Sequence, residues 1–562
     1  MSELSYAHGT SDTPLLGETI GANLENTAAR VGNSEALVEC ATGRRWDYTE
    51  LVDWARKIAR SLLASGIEKG ERVGVWSPNC AEWVALQYGT ALVGAILVNI
   101  NPAYRTSELE FVLRQSGTRL LFSATQVKTS DYRSMVEQVR PSLQSLEEVV
   151  YIGDQSWDRF EAMAAASACA SASSSASASA NGADRLAGAQ ARLSFDDPIN
   201  IQYTSGTTGF PKGATLTHHN ILNNGFFVGD LLGYGEADRV CLPVPFYHCF
   251  GMVMGNLGAT THGSAIVIPA PLFDPAATLA AVEQERATSL YGVPTMFIAE
   301  LGVEGFSNYD LSSLRTGLMA GSPCPVEVMK RVQTEMHMEE VGIAYGMTET
   351  SPVSTQTRFD DDLEHRTSTV GRAMPHIEIK VVDPVSGLTV ERGETGEFCT
   401  RGYSVMLGYW EQPDKTAEAI DAAGWMRTGD LAVLRSDGYV NIVGRIKDMV
   451  IRGGENIYPR EIEEFLYTHP DIDDVAVIGV PDAKYGEELV AWIQMRPGAP
   501  SIDAESLAEF CRGRIAHQKI PKFVRICHAF PMTVTGKLRK VEMREVSTTE
   551  LGRSAAGPQL TA

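Results

Sequence analysis

NIQYTSGTTGFPKG, residues 200–213, is the stretch from which the rest of the chain can be read. Its first half is β-prone and reads as a strand. It runs directly into Thr204, Ser205, Gly206, Thr207, Thr208 and Gly209, with Lys212 two residues further on from Phe210. Glycines and hydroxyl side chains this dense let backbone N–H groups and hydroxyls surround phosphate oxygens, and Lys212 adds one placed positive charge. The stretch is not a Walker A loop, which needs GxxxxGK followed by Ser or Thr, because Pro211 precedes the lysine and Gly213 follows it.

Around this segment, short β-rich runs alternate with longer helical patterns: ERVGVW near Val73, LLF near Leu121, EEVVYIG near Val150, SAIVI near Ile266 and TGLMAG near Leu318. That alternation predicts βαβ units and an α/β fold, with parallel-rich sheets layered with helices in a large N-terminal domain. From Gly444 the pattern changes to a compact α+β block. Helices are expected at Pro459 to Tyr467 and Ala504 to Ile515, and strands at Val475 to Val480, Leu489 to Met495 and near Val524. The expected domains are 1–446 and a small, mobile 447–546, followed by a flexible tail at 547–562. Residues 164–180 are all Ala, Ser or Cys; so little apolar surface reads as a flexible loop or linker, in preference to the marginal helix that alanine allows but the interleaved serines disfavour.

The 562 residues suggest about two to four folding units. A net charge of −22 argues against a nucleic-acid partner, since counterion release needs clustered Lys and Arg. It also means that any nucleotide site must be built locally. The nine cysteines are dispersed, with no CxxC pair, and read as reduced thiols of a cytoplasmic protein. Two apolar stretches, Trp83 to Ile100 and Met252 to Ile268, are interrupted by Gln87, Asn256 and His262. Each reads as a buried helix followed by a strand, and no transmembrane segment is expected.

YTSGTTGFPKG resembles the signature of the acyl-adenylate-forming family, which includes acyl-CoA synthetases, nonribosomal peptide adenylation domains and firefly luciferase. The family's other motifs follow in order, so the resemblance spans about Trp46 to Lys540. AGSPCP at 320–325 resembles the turn lining the adenine pocket, through Gly321, Ser322 and Pro323. AYGMTETSP at 344–352 resembles the next motif, which implies that Tyr345 and Gly346 meet adenine, Thr348 contacts phosphate and Glu349 holds Mg²⁺. An aromatic face suits a purine, and a hard carboxylate suits a magnesium ion bridging phosphates.

GWMRTGDLA at 424–432 resembles the ribose motif. Asp430 would accept both ribose hydroxyls, as a vicinal diol requires of one carboxylate. In GRIKDMV, Arg445 is implied as a second ribose and phosphate contact and Lys447 as the hinge residue. RGGENIYPREIE at 452–463 resembles the glycine-rich loop of the pantetheine tunnel, through Gly453, Gly454 and Glu455. PMTVTGKLRK at 531–540 puts Lys537 at the family's catalytic lysine, where an ammonium can neutralise charge developing at the α-phosphate.

FYHCFG at 246–251 resembles the aromatic and histidine motif beside the acyl pocket, with His248 the residue to watch. No acidic residue lies between Phe246 and Met252, which disfavours an α-amino acid substrate. Gly346 stands where acetate-specific relatives carry a tryptophan, so an open acyl pocket is expected. Each buried CH₂ is worth about 0.8 kcal/mol, enough to favour a medium or long chain over acetate. Through RGGENIYP, AGSP and YGMTETSP the resemblance is strongest to medium-chain and long-chain acyl-CoA synthetases. It implies ATP, Mg²⁺ and coenzyme A as cofactor and co-substrates, and a fatty acid as substrate. A carrier-loading fatty-acyl-AMP ligase and an aryl-CoA ligase stay open as alternatives, as do peripheral membrane contact and an oligomeric state.

Overall fold

The computed structural model describes residues 3–170, 181–204, 211–322, 324–453, 455–532 and 538–553, without the side chains of 166–170, 181–184, 455 and 456. The chain divides into two compact units. The larger gathers Ala7–Ile379 and Thr400–Arg427; the smaller gathers Met1–Tyr6, Lys380–Cys399 and Thr428–Ala562.

The larger unit holds two large sheets and a two-stranded ribbon, Gln126–Val127 with Ser130–Asp131, among the described residues. In the seven-stranded one the order is Gly408–Tyr409, Lys212–Thr217, Pro198–Thr204, Ile96–Asn99, Arg72–Trp76, Leu120–Ser123 and Glu148–Tyr151. Its last five strands run parallel and the first two antiparallel. The nine-stranded sheet is parallel from Glu340–Gly346 through Thr316–Ala320, Ser289–Gly292, Arg239–Cys241 and Ala265–Ile268 to Glu35–Glu39. Antiparallel strands close both its edges. The α/β expectation therefore holds, and the five β-rich runs read from the sequence are all strands.

Both long apolar stretches are interior elements. Every residue of the helix Ala81–Val93 is buried, which is why it is apolar on all faces. Its polar interruption is satisfied internally: Asn256 Nδ2 donates to Gln87 Oε1 at 3.0 Å, and Gln87 Nε2 donates to the Met252 carbonyl at 3.3 Å. The second stretch forms a π-helical turn at Phe250–Leu257, the helix Gly258–His262 and the strand Ala265–Ile268. No helix among the described residues is long and apolar enough to cross a membrane.

The Ala/Ser-rich stretch differs from expectation. The helix Gln155–Ala170 runs through its first seven residues, and residues 171–180 lie outside the described residues. Alanine's helix propensity extends a helix already nucleated upstream. Trp157 and Phe160 dock edge-on against Phe122, and Glu161 accepts from Trp54 Nε1 at 2.6 Å and Lys57 Nζ at 2.7 Å.

In the smaller unit a five-stranded sheet includes Met426–Leu434 and Val440–Arg445. A second sheet is ordered Glu455–Ile457, Val450–Arg452, Gly486–Met495 and Ile472–Asp482, with Phe523–Ile526 alongside Gly486–Met495. Ile462 and Leu466 of the helix Pro459–Leu466 pack with Val475, Val477, Leu489 and Leu507. The helix from Ala504 stops at Cys511 rather than Ile515; Gly513, at φ +73°, turns the chain away. Fraying after Val546 is also corrected, because the helix Lys540–Glu550 continues beyond it. Trp492 Nε1 donates to Ser547 Oγ at 2.8 Å, and Arg525 forks onto Glu550 with both contacts at 2.8 Å. Residues 554–562 lie outside the described residues.

Candidate active site

Thr204 ends its strand and Lys212 begins the next, and the two are direct antiparallel partners. The second strand passes straight into the helix His218–Leu231 through a capping box: Asn220 N–H donates to Thr217 Oγ1 at 3.0 Å, and Thr217 N–H donates to Asn220 Oδ1 at 2.8 Å. Between the partners in sequence come Ser205, Gly206, Thr207, Thr208 and Gly209, all outside the described residues.

What the described residues bring to Thr204 is Glu349, from the turn that follows the nine-stranded sheet's strand Glu340–Gly346. Thr204 Oγ1 donates to Glu349 Oε1 at 3.2 Å, and the Tyr409 hydroxyl donates to the same oxygen at 2.9 Å. Glu349 is only 5% exposed. Lys212 Nζ lies 4.7 Å from the centre of the Tyr409 ring, so one phenol meets the cation with its ring and the carboxylate with its hydroxyl. Burial first, and then the neighbouring carboxylate, push the Tyr409 hydroxyl far above the ordinary phenol range. It remains a donor at every physiological pH. Sequence reasoning missed Tyr409, because nothing in MLGYW at 406–410 signals that its short strand pairs beside Lys212–Thr217.

Gly321 and Ser322 directly follow the strand Thr316–Ala320, and Tyr345 is the penultimate residue of the adjacent parallel strand, with Ala320 paired to Ala344. The sequence-predicted adenine residues therefore lie side by side at the carboxyl ends of neighbouring strands, where open α/β sheets bind ligands. Gly321 and Ser322 are exposed and Tyr345 is half-buried. Pro323 lies outside the described residues. Gly346 has a different explanation from an open acyl pocket: a Cβ there would sit 1.7 Å from the Pro352 carbonyl oxygen. The glycine is required by the close return of the chain at the bulge where Gly346 pairs with Val353.

Thr348 is buried beside Glu349. Its hydroxyl is 3.8 Å from Cys249 Sγ, which in turn is 3.6 Å from His248 Nδ1. The Phe250 N–H donates to His248 Nδ1 at 3.1 Å, so a neutral ring carries its proton on Nε2. His248, Thr348, Glu349, Thr204 and Lys212 are thus linked through Cys249 and Tyr409 into one neighbourhood.

The remaining predicted residues belong to the smaller unit. Asp430 and Arg445 are cross-strand partners, and Arg445 Nε donates to Asp430 Oδ1 at 3.0 Å. Asp430 is buried while the Arg445 side chain is mostly exposed. Lys447 is exposed in the short turn Ile446–Asp448. Gly453, at φ +63°, follows the strand Val450–Arg452, and its N–H donates to the Tyr485 carbonyl at 2.7 Å. Glu455 opens the strand Glu455–Ile457; Gly454 and Lys537 lie outside the described residues.

No group of three or more His, Cys, Asp or Glu suited to a metal occurs among the described residues. The donor set nevertheless fits Mg²⁺, which binds through one or two carboxylates together with substrate phosphates and water. Glu349 is a buried carboxylate in a cradle of hydroxyls beside Lys212.

Comparison with known proteins matches residues 24–410 to the AMP-binding enzymes and residues 461–537 to the AMP-binding enzyme C-terminal domain. The chain is 45% identical over 550 residues to YngI of Bacillus subtilis (strain 168), covering 94% of this chain and 97% of that one. It is 42% identical over 554 residues to the mitochondrial medium-chain acyl-CoA ligase ACSF2 of Danio rerio, covering 98% and 91%. Among solved structures, ATP-bound MatB from Rhodopseudomonas palustris superposes with a TM-score of 0.80 at 27% identity, over 94% of this chain and 99% of that one.

Proposed function

The chain belongs to the AMP-binding enzymes, as an AMP-forming acyl-CoA ligase, and on that premise we propose that it activates a medium-chain or long-chain fatty acid with ATP and passes the acyl group to coenzyme A. The observation that carries the reading is the Glu349 carboxylate, held by the Thr204 and Tyr409 hydroxyls beside Lys212. An arrangement of one hard carboxylate, one ammonium and several hydroxyls is suited to a metal-bound polyphosphate. MatB, of the same fold, is named as ATP-bound. The Danio rerio relative is named as a medium-chain ligase, and the absence of an acidic residue between Phe246 and Met252 fits an uncharged acyl chain.

In this reading the loop 204–212 and Thr348 hold the phosphates, Tyr345 stacks on adenine beside Gly321 and Ser322, and Asp430 accepts the ribose hydroxyls with Arg445 alongside. Mg²⁺ would be held by Glu349 and would neutralise phosphate charge. The fatty-acid carboxylate oxygen attacks the α-phosphorus, an O–P bond forms, and the bond to the leaving pyrophosphate breaks. Lys537 steadies the charge on the α-phosphate as this happens. The CoA sulfur then attacks the acyl carbon, losing its proton, and AMP leaves with the carboxyl oxygen. His248 stands beside the acyl end of the site.

Residues 1–446 and 447–546 act as two domains that turn about Lys447 between the half-reactions, and Gly453, Gly454 and Glu455 serve the thiol step. Dispersed thiols suit a reducing compartment, and the cytoplasm is the proposed site of action. The test is a pair of variants. Lys537→Ala should abolish acid-dependent pyrophosphate release, while Lys447→Pro should retain it and lose acyl-CoA formation; an unchanged thioester rate in Lys447→Pro would refute the hinge.

A further inference from the structure

Arg452 is the last residue of its strand, immediately before Gly453, and its guanidinium is fixed from three directions. Nη2 donates to Glu488 Oε1 at 2.9 Å, Nη1 donates to the Gln518 carbonyl at 3.0 Å, and the group lies 5.0 Å from the centre of the Tyr485 ring. Glu488 is completely buried and the Arg452 side chain is 14% exposed. Lys522 Nζ is 3.9 Å from the same Glu488 oxygen. The strand on which Arg452 sits pairs with Glu455–Ile457 on one side at three positions, and on the other it meets Gly486–Met495 at a single register pair, Arg452 with Gly486. Next to that pair, Ile451 N–H donates to Glu487 Oε2 at 2.7 Å and Gly453 N–H donates to the Tyr485 carbonyl at 2.7 Å.

Stability alone is a poor reason for such a pair. Replacing a buried ion pair by apolar residues of similar volume is often neutral or stabilising, whereas specifying one geometry is a use for which a pair of this kind is well suited. The geometry specified here is the path of the chain into Gly453, whose N–H is itself bonded to the Tyr485 carbonyl. A fork bound simultaneously by a carboxylate, a carbonyl and an aromatic face sets position and direction together, which a flexible ammonium does not.

We infer that Arg452, held by Glu488, is a positioning residue for the glycine-rich loop in the thiol half-reaction, and has no part in adenylation. The inference rests on the proposed role of that loop with coenzyme A. It adds a fixed foundation at the first residue of the loop motif that presets the approach of the pantetheine arm; its loss should fall on the use of CoA alone.

Truncation of Arg452 alone strands a buried carboxylate and destabilises the fold, so the decisive variant is the double Arg452→Met/Glu488→Leu, with Arg452→Lys as the conservative partner. The double variant should melt within a few degrees of wild type and release pyrophosphate from acid and ATP within twofold of the wild-type rate. Its acyl-CoA formation should fall at least tenfold with a raised KM for CoA, and Arg452→Lys should fall between the two. A folded double variant with wild-type kinetics for CoA would overturn the inference, as would an equal loss in both half-reactions. Wild-type enzyme that releases pyrophosphate but makes no acyl-CoA would instead contradict the proposed function, so the two failures are distinguishable.

Discussion

The Tyr409 hydroxyl donates to Glu349 Oε1 at 2.9 Å while its ring lies beside the Lys212 ammonium. This one side chain ties an antiparallel strand of the seven-stranded sheet to the turn after the nine-stranded sheet's strand, and it holds the buried Glu349 carboxylate to which the proposed function assigns Mg²⁺. Tyr409→Phe keeps the ring and removes the donor. A hydrogen bond to a charged group is worth about 1.5–3 kcal/mol, so acid-dependent pyrophosphate release should fall roughly tenfold to a hundredfold. Single-turnover release from purified variant and wild type checks this.

Gly346 separates two explanations of one residue. If its role were to leave the acyl pocket open, Gly346→Ala would shift the chain-length preference and leave the fold intact. The structure places the new Cβ 1.7 Å from the Pro352 carbonyl oxygen, so the backbone around Gly346 and Val353 must move. The expected result is a lowered melting temperature and loss of adenylation with every acid, measured by thermal melting and an acid panel.

Burial pushes the His218 imidazole down to about 3; Ile20 N–H donates to its Nδ1 at 3.2 Å. The unfolded chain protonates this group near pH 6.5 and the folded chain does not. Its contribution to stability is therefore complete above pH 6.5 and is lost as pH falls toward 3, at about 1.4 kcal/mol per pH unit. Between pH 7.5 and 5, His218→Gln should flatten the decline in melting temperature relative to wild type. Parallel curves would rule this out.

Glu300 is fully buried in the helix Pro294–Leu301, and neither carboxyl oxygen has a hydrogen-bond partner among the described residues. Burial raises its pKa well above the carboxylate range. The folded state thus loses stability relative to the unfolded one as pH rises past about 4.5. An unsatisfied buried polar group costs roughly 1–3 kcal/mol, so Glu300→Met should raise the melting temperature at pH 7, with a gain that shrinks toward pH 4.5. Melting curves at both pH values check the sign.

The parts of the fold most legible in the sequence are those written in local pattern. ERVGVW and TGLMAG alternate or run apolar over strand length and are strands. Gln87 and Asn256 mark two apolar stretches as interior, and in the structure those side chains bond to each other. Contacts between distant segments were not legible. Tyr409 acts through Glu349, sixty positions earlier, and Ser547 is held by Trp492 across fifty-five; neither leaves a periodicity. The Ala-rich run misled because composition reports the entropy of an isolated segment, whereas Trp157, Phe160 and Glu161 start its helix from outside. Gly346 carries a second explanation that the sequence does not show: an absent side chain records a backbone approach as readily as an empty pocket.

The most direct test of the central claim is the product balance of the purified enzyme with ATP, Mg²⁺, coenzyme A and acids from C2 to C18, with benzoate beside them. The account predicts one AMP and one pyrophosphate for each acyl-CoA formed, with an optimum at a medium or long aliphatic chain. Acid-dependent pyrophosphate without acyl-CoA, or a preference for benzoate over every fatty acid, would contradict it.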